Sequence, residues 1–254
     1  MEDELRYLYL DLMKRCLLGL VYEDKPLKRS DAPGNEEFDL FVRAAGCDWP
    51  SQAHSMIGIE RLENLQYCVE QVIKDNIPGD LIETGVWRGG ACIFMRAILK
   101  AYGVKNKCVW VADSFAGLPP PNTEKYPQDT NLDFTQFTEL AISLDEVKLN
   151  FFRYDLLDEN VQFLKGWFRD TLPQAPIEKL SVLRLDGDLY ESTMDGLINL
   201  YPKLSPGGFV IVDDYGDIQA CRQAVHDYRD AHQITDEIHQ IDWTGAYWRR
   251  PNSG

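Results

Sequence analysis

The segment that most constrains this chain runs Gly79-Asp80-Leu81-Ile82-Glu83-Thr84-Gly85-Val86-Trp87-Arg88-Gly89-Gly90-Ala91. It reads as a buried strand that turns through glycines into a helix. Leu81-Ile82 ends in an acid, and Gly85, Gly89 and Gly90 then allow a sharp turn and a close approach of backbone to a ligand where a Cβ would clash. From Ala91 onward Cys92, Ile93, Met95, Ala97, Ile98 and Leu99 follow helical spacing, with Gly103 as the stop. The glycines do not form Gly-x-Gly-x-x-Gly, which counts against a nicotinamide or flavin dinucleotide. Glu83 stands where a diphosphate would meet backbone amides, so the turn suits a ligand that is cationic or rich in hydroxyls and amines. S-adenosylmethionine, with its ammonium and sulfonium, meets that description. Close packing alone also produces such a turn, so residues downstream have to decide between the two.

A chain of 254 residues, 44% of them apolar, can bury the core of one α/β domain with an N-terminal extension. A formal charge of −15 disfavours nucleic acid and anionic membranes as partners and favours a small-molecule substrate. Cys16, Cys47, Cys68, Cys92, Cys108 and Cys221 contain no Cys-x-x-Cys pair and fall mostly in apolar periodic segments, as reduced core residues do. Met1 leads into Glu2-Asp3-Glu4 rather than the basic start of a signal peptide, and no apolar run approaches membrane-spanning length. A soluble, cytoplasmic protein is expected.

Residues 4 to 22 place Leu5, Leu8, Leu12, Cys16 and Leu20 at helical spacing, with Tyr9, Leu17 and Val21 broadening the face, which suits packing or self-association. Residues 23 to 46 read as a loop or short arm, and 61 to 76 as a helix closed by Pro78-Gly79. Strand and helix then alternate. Strands are predicted at 81–82, 108–112, 161–164, 180–185 and 209–212, and helices at 143–154, 191–203 and 217–232. The turn signal Ser205-Pro206-Gly207-Gly208 precedes the fifth strand, and residues 234 to 250 suit a final antiparallel hairpin. This alternation predicts a mostly parallel sheet, covered on both faces, with ligands beyond the carboxyl ends of its strands.

Those carboxyl ends are acidic. Glu83, Asp113, Asp186 and Asp213-Asp214 each close a predicted strand and would share one crevice. Asp113 is placed to accept hydrogen bonds from a ribose diol, although a helix cap or a solvated loop aspartate reads alike. Asp186-Gly187-Asp188 and Asp213-Asp214 close neighbouring strands, and crowded carboxylates without Cys or His suit a hard cation such as Mg²⁺. Asp186, Asp213 and Asp214 are therefore candidate metal ligands, with Asp188 as candidate general base; helix capping by Asp213 or Asp214 is the bland alternative. Methyl transfer is an in-line displacement at an activated methyl group, so a protein mainly aligns the reactants and prepares an oxyanion. None of the histidines is needed for it, and His54 sits in a segment able to fold over a pocket.

The motifs Asp48-Trp49-Pro50, Ser55-Met56-Ile57-Gly58, the glycine turn, Ala112-Asp113-Ser114-Phe115-Ala116-Gly117-Leu118-Pro119, Gly166-Trp167-Phe168-Arg169-Asp170-Thr171-Leu172-Pro173, Leu185-Asp186-Gly187-Asp188 and Val212-Asp213-Asp214-Tyr215 together resemble the macrocin O-methyltransferase family, relatives of enzymes that methylate deoxysugar hydroxyls of macrolides and novobiocin. The resemblance covers the chain from about residue 46 onward. It implies a class I S-adenosylmethionine-dependent methyltransferase, with a Rossmann-like, mostly parallel seven-stranded sheet, that uses Mg²⁺. Residues 1–60 would be a helical extension and lid segment and 61–254 the methyltransferase domain. By that similarity Glu83, Thr84, Gly85, Val86, Trp87 and Gly89 would hold the methionine part, and Asp113 the ribose beside Ser114 and Phe115. Gly166, Trp167 and Phe168 would hold the adenine, Met56 and Ile57 would close over the cofactor, and Asp186 would face it as well as the metal. Ser143 also enters the cofactor set, yet Ser143-x-x-Glu146 is equally a capping box, and Trp167 equally a core residue. The implied acceptor is a hydroxylated small molecule, such as a glycosylated natural product, and the N-terminal helix a means of forming a homodimer or larger homo-oligomer. A non-sugar alcohol or phenol is the alternative acceptor. A glycosyltransferase using Asp186-x-Asp188 and a catalytically silent scaffold are the rival functions.

Overall fold

The structure, a computed structural model, describes residues 2–28 and 37–251. Residues 29–36 of the expected N-terminal loop lie outside the described residues. The described part of that loop contains one short helix. The helices are α1 (Glu2–Leu17), α2 (Leu40–Ala44), α3 (Gly58–Lys74), α4 (Gly90–Ala101), α5 (Leu144–Arg153), α6 (Phe168–Thr171), α7 (Tyr190–Leu200) and α8 (Gln219–Ala231). The strands are β1 (Asp80–Thr84), β2 (Val109–Asp113), β3 (Val161–Lys165), β4 (Leu180–Leu185), β5 (Leu204–Val212), β6 (His239–Gln240) and β7 (Ala246–Arg249). They form one sheet in the order β3-β2-β1-β4-β5-β7-β6, parallel from β3 to β5, with β7 antiparallel to β5.

Strand alternation sorts the core into two layers. Leu81, Val109, Val111, Val182, Phe209 and Ile211 pack with α1, α3, α4 and α5 on one side. Ile82, Trp110, Leu183, Leu185, Val210 and Val212 pack with α7 and α8 on the other. With both faces covered, the central strands need apolar residues at nearly every position, which is why they read as continuous runs.

Three local features differ from the sequence reading. The Ser205-Pro206-Gly207-Gly208 signal is a bulge inside β5 rather than a turn before it. Leu180 pairs with Leu204 and Val182 with Phe209, so Ser181 alone faces residues 205–208. The chain end secures this bulge, Gly207 N–H donating to the Arg250 carbonyl and Arg250 N–H to that of Gly208. In α1 the face turned to the core is Leu10, Met13, Lys14 and Leu17, which packs towards α4. Leu5, Leu8 and Leu12 are exposed. The helix carries two apolar stripes, and periodicity alone does not say which one the domain uses. Among the cysteines, all free thiols, Cys68, Cys92 and Cys221 are buried while Cys47 is exposed.

Candidate active site

The carboxyl ends of β1, β2, β4 and β5 open into a cavity of about 470 Å³. The glycine turn forms its floor. At Gly85, whose φ is +81°, a Cβ would overlap the Asp186 carbonyl oxygen, so the close approach this glycine permits is to the end of β4. Asp113 fastens the same turn from β2. Its Oδ2 accepts the Val86 N–H at 2.8 Å and its Oδ1 the Phe115 N–H at 2.7 Å, while desolvation raises its pKa. The Ser114 hydroxyl stands 3.3 Å from Oδ1 as a further neighbour.

Of the cofactor candidates, Glu83, Gly85, Val86 and Trp87 line the floor, Asp113 and Ser114 one wall, and Gly166, Trp167 and Phe168 the wall beyond β3. Met56 and Ile57 line it from the N-terminal side, and Asp186, Asp188, Asp213 and Asp214 from the ends of β4 and β5. Four candidates point elsewhere. The Thr84 side chain is buried within β1, and a Cβ on Gly89 would meet Val147 of α5. Phe115 packs into the core, and Ser143 caps α5, its Oγ accepting the Glu146 N–H at 3.2 Å. Local capping thus accounts for the Ser143 position.

An arginine that sequence reasoning passed over organises the acids. Arg184 lies in β4 beside Glu83 of β1 in the strand register and is almost fully buried. It donates to Glu83 Oε1 at 2.5 Å, to Asp186 Oδ2 at 2.7 Å, and to Asp213 Oδ1. Burial works against its cation, but the charges of Asp213, Glu83 and Asp186 outweigh that and raise its pKa. The other Glu83 oxygen accepts from the Cys92 thiol at 2.9 Å. Burial still raises the Glu83 pKa, with Arg184 opposing. A lone arginine in a strand covered on both faces was the available signal, because a buried guanidinium requires partners. Arg61 of α3, which carried no such signal, reaches Asp213 Oδ2 at 2.5 Å and Asp242 Oδ2 at 2.9 Å.

Asp186, Asp213 and Asp214 bring one carboxylate oxygen each within 4.8 Å of one another. Desolvation, then the charge of Asp213, pushes the Asp186 pKa well up; desolvation, then Asp188, does the same for Asp214. Asp188 has a φ of +58°, and its N–H donates to Asp214 Oδ2 at 3.1 Å. Its own pKa is raised to about 7 by desolvation first, then by Asp213 and Asp217. With Glu83, these carboxylates outnumber the guanidiniums of Arg184 and Arg61. An all-oxygen donor set with surplus negative charge fits a hard divalent cation.

The rest of the cavity is aromatic and apolar. Trp49, Phe134, Phe137, Leu140 and Trp243 line it, with Trp49 edge-on to Phe137 at 5.6 Å between centroids. Asp48 positions Trp49 indirectly: it pairs with buried Arg43 at 2.6 and 2.9 Å. Trp87 Nε1 donates to the Glu139 carbonyl at 2.9 Å and joins the glycine turn to this wall. Asp129, fully buried, accepts the N–H groups of Tyr190 and Glu191 and so caps α7 from residues 119–140.

The segment before Met56 is pinned. Arg88 donates to the carbonyls of Pro50, Ser51 and Ala53 at 3.1, 3.0 and 2.8 Å, and the His54 and Ser55 N–H groups both donate to the Leu17 carbonyl. His54 Nδ1 lies 2.8 Å from the Tyr154 hydroxyl. Burial, then Arg153 and Arg88, lowers the His54 pKa to about 4. Unfolding restores a value near 6.5, so protonation favours the unfolded chain and stability falls as pH drops from about 6.5 towards 4. His54→Gln is expected to remove about 1–2 kcal/mol of that acid loss. Urea unfolding at pH 7.5 and 5 checks it, and an equal acid loss in both proteins would exclude His54 as the cause.

The strand order, the antiparallel β7 and a cavity built on the glycine turn define a class I S-adenosylmethionine-dependent methyltransferase. The profile of the Macrocin-O-methyltransferase (TylF) family matches residues 6–250, and the chain belongs to that family. It is 55% identical over 250 residues to the 8-demethyl-8-(2,3-dimethoxy-alpha-L-rhamnosyl)-tetracenomycin-C 4'-O-methyltransferase of Streptomyces olivaceus, covering 98% of this chain and 95% of that one. It is also 55% identical to the demethyldecarbamoylnovobiocin O-methyltransferase of Streptomyces niveus, covering 96% and 93%. The solved structure of the O-methyltransferase NovP superposes with a TM-score of 0.93 at 54% identity, covering 97% of this chain and all of that one. The calicheamicin methyltransferase CalS11, at 20% identity and a TM-score of 0.59 over 74% of this chain and 78% of its own, shares the fold. The protein is thus a methyltransferase, and the glycosyltransferase reading of Asp186-x-Asp188 falls away.

Proposed function

We propose that this chain transfers a methyl group from S-adenosylmethionine to a sugar hydroxyl of a glycosylated natural product, with Mg²⁺ or a similar divalent cation held by Asp186, Asp213 and Asp214. The observation that carries this reading is one cavity shared by the glycine turn, that carboxylate cluster and Asp188. The relatives' names support the acceptor class: one acts on a rhamnosyl tetracenomycin, another on demethyldecarbamoylnovobiocin.

In this reading Glu83, Gly85, Val86 and Trp87 hold the methionine part, and Asp113 and Ser114 the ribose. Gly166, Trp167 and Phe168 hold the adenine, with Met56 and Ile57 closing the near side and Asp186 facing both cofactor and cation. When bound, the cofactor supplies a methyl group on a sulfonium, and the cation lowers the pKa of the acceptor hydroxyl and fixes its direction. Asp188 would take the hydroxyl proton, and the cavity walls would hold the acceptor oxygen in line with the methyl group that the cofactor would supply. Trp49, Phe134, Phe137 and Trp243 exclude water and pack on the acceptor.

Excess chelator is expected to abolish turnover and Mg²⁺ to restore it. Asp214→Asn should weaken cation binding more than about tenfold and leave S-adenosylhomocysteine affinity unchanged, as read by calorimetry. Full activity in chelator would overturn the metal assignment. A panel of glycosylated, phenolic and simple secondary-alcohol acceptors tests the substrate class, and turnover confined to the phenols would refute the sugar reading.

The exposed stripe of α1, Leu5, Leu8 and Leu12, is assigned in this proposal to a second copy of the chain. The helix is acidic in its first turn and basic in its last, so antiparallel pairing about a two-fold axis sets opposite charges together. Leu8→Glu with Leu12→Glu should convert a dimer to a monomer in sedimentation equilibrium. A wild-type monomer at micromolar concentration would refute the assignment.

A further inference from the structure

Arg61 stands at the junction of four segments. Its α3 side chain is buried, and its guanidinium donates to Asp213 Oδ2 of the β5 end, to Asp242 Oδ2 of the β6–β7 connection, and to the Gly46 carbonyl at 3.4 Å. The Trp243 ring lies 5.7 Å from its Cζ. Asp213 is bracketed, since its other oxygen pairs with Arg184. Asp214, by contrast, accepts the Asp188 N–H and meets no arginine at salt-bridge distance among the described residues. The candidate ligands are therefore unequal, and a cation at Asp213 meets the positive charge of Arg61 on the same carboxylate. Like charges a few ångströms apart in a poorly solvated cavity repel appreciably.

Resting on the metal reading above, we propose that Arg61 is a positioning residue that shares Asp213 with the divalent cation. It holds cation affinity down while fixing the direction of that carboxylate, and it ties the cation's seat to Gly46 and Trp243 in the acceptor wall. Asp242 sets how strongly Arg61 leans on Asp213, because it is the second anion on the same guanidinium.

This arrangement makes two substitutions move cation affinity in opposite directions. Arg61→Met removes the competing charge and is expected to tighten Mn²⁺ binding about tenfold while lowering kcat, because Asp213 loses its fixed direction. Asp242→Asn leaves Arg61 with one anion instead of two, and should weaken Mn²⁺ binding about threefold. It retains an oxygen for the Thr244 and Gly245 N–H groups that Asp242 Oδ1 accepts at 3.0 and 2.7 Å. The measurement is calorimetric titration of Mn²⁺ alone into the full chain saturated with S-adenosylhomocysteine. A merely structural Arg61 would weaken binding in both variants, and that result, or no change in either, overturns the proposal. Should Arg61→Met fail to fold, Arg61→Gln decides, since it keeps hydrogen-bond donors without the charge: tighter binding supports the sharing, and unchanged or weaker binding overturns it. Wild-type protein that binds no Mn²⁺ overturns the metal reading itself, whereas wild-type binding with unaltered variants overturns only the role of Arg61.

Discussion

Asp188→Asn is expected to lower kcat by about 10²–10⁴-fold, the usual contribution of a positioned general base. Asparagine keeps the size of the side chain and tolerates the left-handed φ of +58°, so the backbone contact to Asp214 survives. What it loses is the capacity to take a proton. In the cation-free protein desolvation, then Asp213 and Asp217, raises the Asp188 pKa to about 7, the range a proposed base would use. Affinities for S-adenosylhomocysteine and Mn²⁺ should stay within a few-fold of wild type. Single-turnover kinetics beside both titrations checks this, and an unchanged chemical rate would assign the proton to another group.

Arg184→Met is expected to cost about 3–5 kcal/mol of folding stability, the usual penalty for breaking a buried ion network by removing one partner. Methionine fills much of the volume but leaves Glu83, Asp186 and Asp213 without their shared cation. Glu83 and Asp213 are themselves buried, so water compensates them poorly. Arg184→Lys should recover only part of the loss, because a single ammonium does not reproduce the planar fork that faces three carboxylates. Urea unfolding at neutral pH is the measurement, and a loss under 1 kcal/mol for the methionine variant would show that the acids reorganise without it.

The contrast between these residues shows what the sequence carried. The floor of the site was legible because its causes are local: an apolar strand, an acid at its end, and glycines where the chain turns. The rim of aspartates was legible because strand ends in a doubly wound sheet share one side. The partners of those acids were not. Arg184 meets Glu83 across 101 residues and Arg61 meets Asp213 across 152, and no local pattern encodes such pairs. Ser143 shows the reverse case, where a local capping box explains the residue and the structure keeps it out of the cavity. The bulge in β5 was hidden because turn residues look alike whether a chain reverses or only bends. α1 was ambiguous because both of its stripes are apolar, and only packing against α4 selects one.

Arg184 also bears on which sheet the chain can build. It shares one face of the sheet with Glu83 and, beyond Ile211, with Asp213. If β4 slipped by a single residue against β1 and β5, the side chain would swing to the opposite layer, among Leu183, Leu185 and Val212 in the present core. A slip of two residues would restore the face but carry the guanidinium roughly 7 Å along the strand, away from at least one of its acids. Apolar side chains alone would tolerate such shifts, since Leu, Val and Ile are nearly interchangeable along these strands. The charged group makes the sheet intolerant of misalignment: mispaired assemblies must bury naked charge, and only the native register spares them that.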